Sequence, residues 1–312
     1  MAPGYNRLLY LLPFDHRHSY VTGMFKFTAP LTAEQHEAVV DSKQVIYDGF
    51  LQAVGADVPA SSAAVLVDEQ FGTAILHDAA KRGYVTALSV EKSGSLEFEF
   101  EYGAAFAEHI EAFGPTFAKV LVRYNPSGDA ALNRRQTAKL KQLSDYCRSV
   151  DQRLMFELLV PAANSQLAQV QHDTQKYDLE VRPELMLQTI RALQDGGVEP
   201  DVWKLEGLDR REDCERAVDT ARRDGRHGVG CIVLGRGEDE QKVEGWLATA
   251  ASVPGFIGFA VGRTTFWEAM ADYEAGRTGR PETVSRVAGR YRHWVTIFDR
   301  ARVVQGGQRA LA

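Results

Sequence analysis

The stretch Asp201-Val202-Trp203-Lys204-Leu205-Glu206-Gly207 decides the fold. A period of two puts Val202, Lys204 and Glu206 on one face and Trp203 and Leu205 on the other, the pattern of a strand covered on both sides. A lysine midway along such a strand is costly to bury, and a buried ammonium tends to shed its proton. The neutral amine is a nucleophile toward carbonyl carbon. With Trp203 and Leu205 packed beneath helices, Lys204 points into the centre of a barrel and reads as an imine-forming lysine. A structural lysine, paired with a core carboxylate or reaching out to solvent, satisfies the same spacing.

Outward from this strand, apolar runs of similar length recur near residues 8–15, 63–68, 86–91, 117–124, 153–160, 201–206, 229–235 and 256–262. Amphipathic stretches follow them near 32–54, 73–82, 103–113, 129–149, 182–195, 209–223, 239–252 and 265–274, with a further helix over 282–302. Near-continuous hydrophobic strands are those of a parallel sheet covered on both faces. Thr32-Ala33-Glu34-Gln35 reads as a capping box, Pro183 opens the fifth helix and Gly196-Gly197 closes it. Eight strand-then-helix units without a composition break predict an α/β chain of one domain over residues 1–312, a single (β/α)8 TIM barrel with an extra C-terminal helix. A doubly wound open sheet is the alternative.

Two connections are long for this architecture, Asp15 to Pro30 and Pro161 to Arg182, and both follow strands. The second is polar and reads as a lid or as a disordered excursion. Leu96-Glu97-Phe98-Glu99-Phe100-Glu101-Tyr102 alternates acidic and aromatic residues, as a short added strand or an interface edge would.

The 312 residues are 45% hydrophobic and 25% charged, enough for a sizeable core. A net charge of −6 leaves no basic footprint for nucleic acid or an anionic membrane surface. The run Leu8 to Leu12 is too short to span a bilayer and lacks a cleavage site. Cys147, Cys214 and Cys231 are too few and too scattered for a disulfide framework or a metal knuckle, which points to a reducing, cytoplasmic setting.

In a barrel, chemistry gathers where strands end. The strand-end charges are Asp15-His16-Arg17, Asp68-Glu69, Glu91-Lys92, Lys119 with Arg123, Glu157, Lys204 with Glu206, Gly235-Arg236-Gly237 and Gly262-Arg263. Imine formation needs an acid/base to shed water, and Glu157 on the strand beside Lys204 is placed for it. Lys119 adds a second positive charge next to the nucleophile, and Asp15 is positioned across the mouth to orient or deprotonate a hydroxyl. An internal ion pair of Glu157 and Lys119 is the bland alternative. The glycines and arginines after strands seven and eight suit a phosphate, and Arg17, Lys92, Asp68 and Arg123 complete a substrate-binding set. The histidines form no ligand cluster, so no metal or other cofactor is expected, although Glu157, Glu206 and Asp68 could together hold magnesium.

These residues resemble the class I aldolases of the tagatose-bisphosphate type, and more closely the aldolase-like domain at the carboxyl end of the inositol-catabolic 5-dehydro-2-deoxygluconokinase fusions. The motifs are Leu12-Pro13-Phe14-Asp15-His16-Arg17, Lys119-Val120-Leu121-Val122-Arg123-Tyr124, Phe156-Glu157, Val202-Trp203-Lys204-Leu205-Glu206 and Gly262-Arg263-Thr264-Thr265-Phe266. The resemblance implies a barrel with an imine-forming Lys204, supporting Asp15, Lys119 and Glu157, and phosphate binding by Arg263 and the strand-seven glycine loop. It implies a lyase that cleaves 2-deoxy-5-keto-gluconate 6-phosphate to dihydroxyacetone phosphate and malonate semialdehyde. Asp15-His16-Arg17 stands where the tagatose-type enzymes have Asp-Gln-Arg. Another ketose phosphate (tagatose bisphosphate or a sulfonated sugar phosphate) and a catalytically silent sugar-phosphate sensor remain open, and a homo-oligomer is compatible with all three.

Overall fold

The computed structural model describes residues 3–309. Eight parallel strands close on themselves in chain order: β1 (Leu9–Pro13), β2 (Ala63–Val67), β3 (Val85–Ser89), β4 (Phe117–Arg123), β5 (Arg153–Leu159), β6 (Val202–Glu206), β7 (Gly230–Leu234) and β8 (Phe256–Ala260). Around them run α1 (Ala33–Ala56), α2 (Glu69–Lys81), α3 (Phe106–Phe113), α4 (Ala130–Ser149), α5 (Arg182–Asp195), α6 (Arg211–Ala221), α7 (Glu240–Ala251) and α8 (Arg263–Glu274), followed by α9 (Arg280–Arg309). This is the (β/α)8 barrel with an added C-terminal helix that the alternation predicts.

Strand parity divides the core in two. Leu9, Leu11, Leu66, Phe117, Met155 and Val202 fill the barrel centre, whereas Trp203 and Leu205 join the larger core between sheet and helices. Gly207, just past β6, has no freedom to be anything larger, because a Cβ there would lie 1.9 Å from the Trp246 ring. The strand ends beyond the apolar centre are where the inward positions turn polar.

Helix starts follow local chemistry. Thr32 and Gln35 form the expected capping box, and Pro183 sits in the first turn of α5. The helix expected from residue 73 begins instead at Glu69, because the Asp68 carboxylate accepts the Phe71 amide at 2.9 Å and caps it. The long connection after β1 contains a helical turn at His18–Tyr20 and a π-helical turn at Val21–Phe25. The 161–182 connection is largely helical as well, through Asn164–Gln169, Thr174–Lys176 and Tyr177–Val181. The alternating 96–102 segment makes one antiparallel bridge, Glu91 to Phe100. Its Phe98 and Phe100 are buried, and Glu97 and Glu99 pair with Arg135 and Lys139 of α4. No helix among the described residues is long and apolar enough to cross a membrane.

Candidate active site

The carboxyl ends of the strands surround a cavity of about 460 Å³. Register explains its floor: Leu121 pairs with Glu157, Glu157 with Lys204 and Lys204 with Ile232, so these side chains share one layer. Lys119 starts one layer deeper, beside Met155, and extends its amine up into the layer above. Asp15 and Glu91 continue the inward parity of β1 and β3 past the strand ends.

The result is a chain of charges in the barrel centre. The Lys204 ammonium donates to Glu157 Oε2 at 2.7 Å, and the same oxygen lies 2.9 Å from Lys119 Nζ. Lys119 also reaches Asp15 Oδ2 at 2.8 Å and Glu91 Oε1 at 3.0 Å. Burial alone would expel the Lys119 charge, but the three carboxylates outweigh it and raise its proton affinity above the ordinary lysine range. Burial likewise works against the Asp15 and Glu157 carboxylates. The Lys119 and Lys204 charges nevertheless hold both pKa values below the ordinary carboxylate range. Glu91 goes the other way: burial, reinforced by the Asp15 charge, exceeds the pull of Lys119 and Arg17 and raises its pKa.

Of the residues singled out in the sequence, Asp15, Arg17, Lys92, Lys119, Arg123, Glu157, Lys204, Gly235, Arg236, Gly237, Gly262 and Arg263 all line this cavity. Asp68 does not. Fully buried, it pairs with Lys43 of α1 and caps α2, so its carboxylate is occupied by the fold.

The arginines divide by partner. Arg17 donates to the Glu91 carbonyl at 2.6 Å and to Glu101 Oε2 at 2.7 Å, so its charge is neutralised inside the protein. Arg236, in a left-handed conformation at φ 50°, is held by Asp178, by Glu206 at 3.2 Å and by Glu238. It thereby ties the 161–182 segment to the ends of β6 and β7. Arg263, half-buried at the start of α8, has no carboxylate partner among the described residues. Burial alone pushes its guanidinium down from the ordinary range. Its neighbour Gly262 must lack a side chain, since a Cβ would sit 2.4 Å from the Pro13 carbonyl oxygen. Arg123 makes one long bond, 3.4 Å, to the Ser95 carbonyl, and Lys92 lines the same side of the cavity. Uncommitted positive charge therefore stands at two places, beside β8 and beside β3 and β4.

Two cavity residues, His16 and Glu91, stand among the strand-end charges but carry no role in the sequence reading. His16 packs edge-on to Phe266 with its Nδ1 buried and without a partner among the described residues. Burial pushes its imidazole down to about 4, against the pull of Asp15, so the ring is neutral near pH 7. Period-two parity cannot find it because the chain leaves the strand geometry at Pro13. Glu91 could have been found, since Ala87, Ser89 and Glu91 share the inward face of β3.

The carboxylates proposed as a magnesium set are committed separately: Glu157 to two lysines, Glu206 to Arg236 and the Val160 amide, Asp68 to Lys43. Among the described residues, the group with metal-binding spacing is Glu240, Glu244 and His293 on the outer helices. There His293 Nε2 meets Glu244 at 2.6 Å and Arg290 occupies Glu240.

Comparison with known proteins agrees with the architecture. A crystal structure titled as an archaeal fructose 1,6-bisphosphate aldolase superposes with a TM-score of 0.54 at 13% identity, covering 92% of this chain and 94% of that one. Cgl0159 from Corynebacterium glutamicum superposes with a TM-score of 0.52 at 15% identity, covering 92% and 88%. At such identities the likeness shows a shared barrel fold. No curated protein matches the chain. A family model described as "Uncharacterized protein conserved in bacteria (DUF2090)" matches residues 4–302, and the chain belongs to that family.

Proposed function

We propose that this protein is a class I aldolase that forms an imine through Lys204. The observation that carries the reading is the Lys204 amine, 3% exposed on the cavity floor, with a single charged partner, Glu157, at 2.7 Å. A lysine at the open end of a barrel, in hydrogen-bond contact with an acid and facing a cavity, has the parts needed to attack a ketone and shed water. Glu157 moves protons to and from the carbinolamine. Lys119 holds Glu157, Asp15 and Glu91 in place around the reacting carbon. The depressed proton affinity of Asp15 favours orienting the hydroxyl next to the breaking bond over strong proton abstraction.

The substrate is an anion at both ends. Arg263, with the amides around Gly235, Gly237 and Gly262, takes a phosphate, the chemistry of an uncapped helix start beside a free guanidinium. Arg123 and Lys92 take a carboxylate at the opposite side, a role that the internal pairing of Arg17 denies to that residue. 2-Deoxy-5-keto-gluconate 6-phosphate has this charge pattern, and its cleavage gives dihydroxyacetone phosphate and malonate semialdehyde. The same two cationic places favour a ketose bisphosphate such as tagatose bisphosphate as the second reading.

Borohydride reduction in the presence of dihydroxyacetone phosphate is expected to trap an adduct on Lys204, before and after exhaustive chelation, and Lys204→Met to abolish it. An adduct on Lys119 or Lys92 would overturn the assignment. Release of dihydroxyacetone phosphate from a panel of phosphorylated ketoses separates the two substrates. Binding without release would identify a sensor.

A further inference from the structure

The barrel centre holds one more acid than the proposed reaction uses. Glu91 is buried on the cavity wall, its Oε1 bonded to Lys119 and its Oε2 without a partner among the described residues. Close N–O contacts run without a break from the nucleophile to this carboxylate: Lys204 to Glu157 at 2.7 Å, Glu157 to Lys119 at 2.9 Å, and a hydrogen bond from Lys119 to Glu91 at 3.0 Å. We propose that Glu91 is the terminal proton acceptor of this chain, taking up the proton that Lys204 must shed before it can attack a carbonyl.

The inference rests on the imine reading of Lys204. As that amine deprotonates, a Lys204 N–H bond breaks and Glu157 is protonated. Glu157 passes a proton to Lys119 as Lys119 gives one to Glu91, so the net change is one N–H bond lost at Lys204 and one O–H bond formed at Glu91. After the amine adds to the ketone, the same path runs backward. One proton of the adduct nitrogen moves to the oxygen to give the carbinolamine, the proton returned from Glu91 adds to that hydroxyl, the C–O bond breaks, water departs and the nitrogen lone pair closes the protonated C=N bond. No net proton enters or leaves the site.

Glu91 suits this end of the chain better than its neighbours do. Asp15, also bonded to Lys119, is held as a carboxylate by the Lys119 and Lys204 charges. Glu91 is the acid of the group whose proton affinity burial raises, even with Lys119 and Arg17 beside it. The groups facing it are Lys119 from β4, Asp15 and Arg17 from the end of β1, and Glu101 through its bond to Arg17.

The test is the rate of rapid-mix borohydride trapping, with dihydroxyacetone phosphate as the probe, followed across the neutral pH range. Glu91→Gln preserves shape and an acceptor for Lys119 but cannot take a proton. It is expected to slow trapping roughly 10²-fold, the usual scale for losing a proton-transfer group, with the rate recovering as pH rises. Glu91→Asp should restore most of the rate. Glu101→Gln, which removes the other partner of Arg17, should leave the rate unchanged. Wild-type rate and pH profile in Glu91→Gln would overturn the proposal, and so would an equal loss in Glu101→Gln. If Glu91→Gln does not fold, Glu91→Asp decides: a displaced pH profile supports the relay and an unchanged one overturns it. Absence of any Lys204 adduct in the wild type removes the imine reading itself.

Discussion

Arg263 stands apart from the other cations of the cavity because no carboxylate among the described residues shares its charge, and its guanidinium lies over the Trp267 ring, 5.1 Å from the centroid. A half-buried guanidinium left unpaired is stabilised by whatever anion arrives, so its removal costs affinity for that anion specifically. Arg263→Ala is expected to weaken binding of phosphorylated substrates by about 2–4 kcal/mol, roughly 30- to 700-fold. Unphosphorylated analogues should be unaffected. Competition by inorganic phosphate in wild type and variant measures the difference directly, and equal losses on both ligand classes would place the phosphate elsewhere. Arg236, adjacent in the cavity wall and equally conspicuous in the sequence, should not behave this way, since Asp178, Glu206 and Glu238 already neutralise it.

Elements after the strands are held by these internal pairs. Asp178 lies in the 161–182 segment and serves two arginines: Arg182 of α5 at 2.9 Å, whose other arm donates to the Gly207 carbonyl at 2.8 Å, and Arg236 after β7 at 2.9 Å. Asp178→Asn removes the charge and leaves the fully buried Arg182 without its counter-ion. Hydrogen exchange over 164–181 should accelerate at least tenfold, about 1.4 kcal/mol, while the amides of β4 to β6 keep their protection. Uniform loss of protection would mean that the segment unfolds only with the barrel. The polar composition of this stretch suggests mobility, but its short helical pieces and the Asp178 pairs exist only once β6 and β7 are side by side. The start of α2 is a milder case. Asp68-Glu69 ahead of an amphipathic stretch is a legible cap signal, and the helix begins there, four residues before the expected start at 73.

Across the whole molecule, α9 closes the seam where β8 meets β1. The Tyr291 hydroxyl donates to the Tyr10 carbonyl at 2.6 Å, Tyr10 in turn donates to Asp299 at 2.5 Å, and Trp294 Nε1 donates to Thr265 of α8 at 3.0 Å. Tyr291, Trp294 and Phe298 are fully buried, so this helix is part of the core and not an appendage. Trp294→Ala is expected to destabilise the protein by about 3–5 kcal/mol, read from the urea midpoint at unchanged slope. Where the variant is folded, borohydride trapping at Lys204 should persist, because among the described residues none of α9 lines the cavity.

The strand-helix alternation and the parity that turns Lys119, Glu157 and Lys204 to one face are legible in the chain alone. Each is a property of neighbours along the chain, where a period of two and a hydrophobic run leave few arrangements. Closure of β8 onto β1, which excludes the open sheet, and the meeting of particular charges exist only in the folded molecule. Lys119 and Asp15 are separated by 104 residues, and Arg236 and Asp178 by 58. The partner of a buried charge is set by barrel closure and register, so Arg17 and Arg236 could not be told from Arg263 in the sequence. The partner of Glu91 is settled the same way, since its hydrogen bond to Lys119 exists only after β3 and β4 are paired.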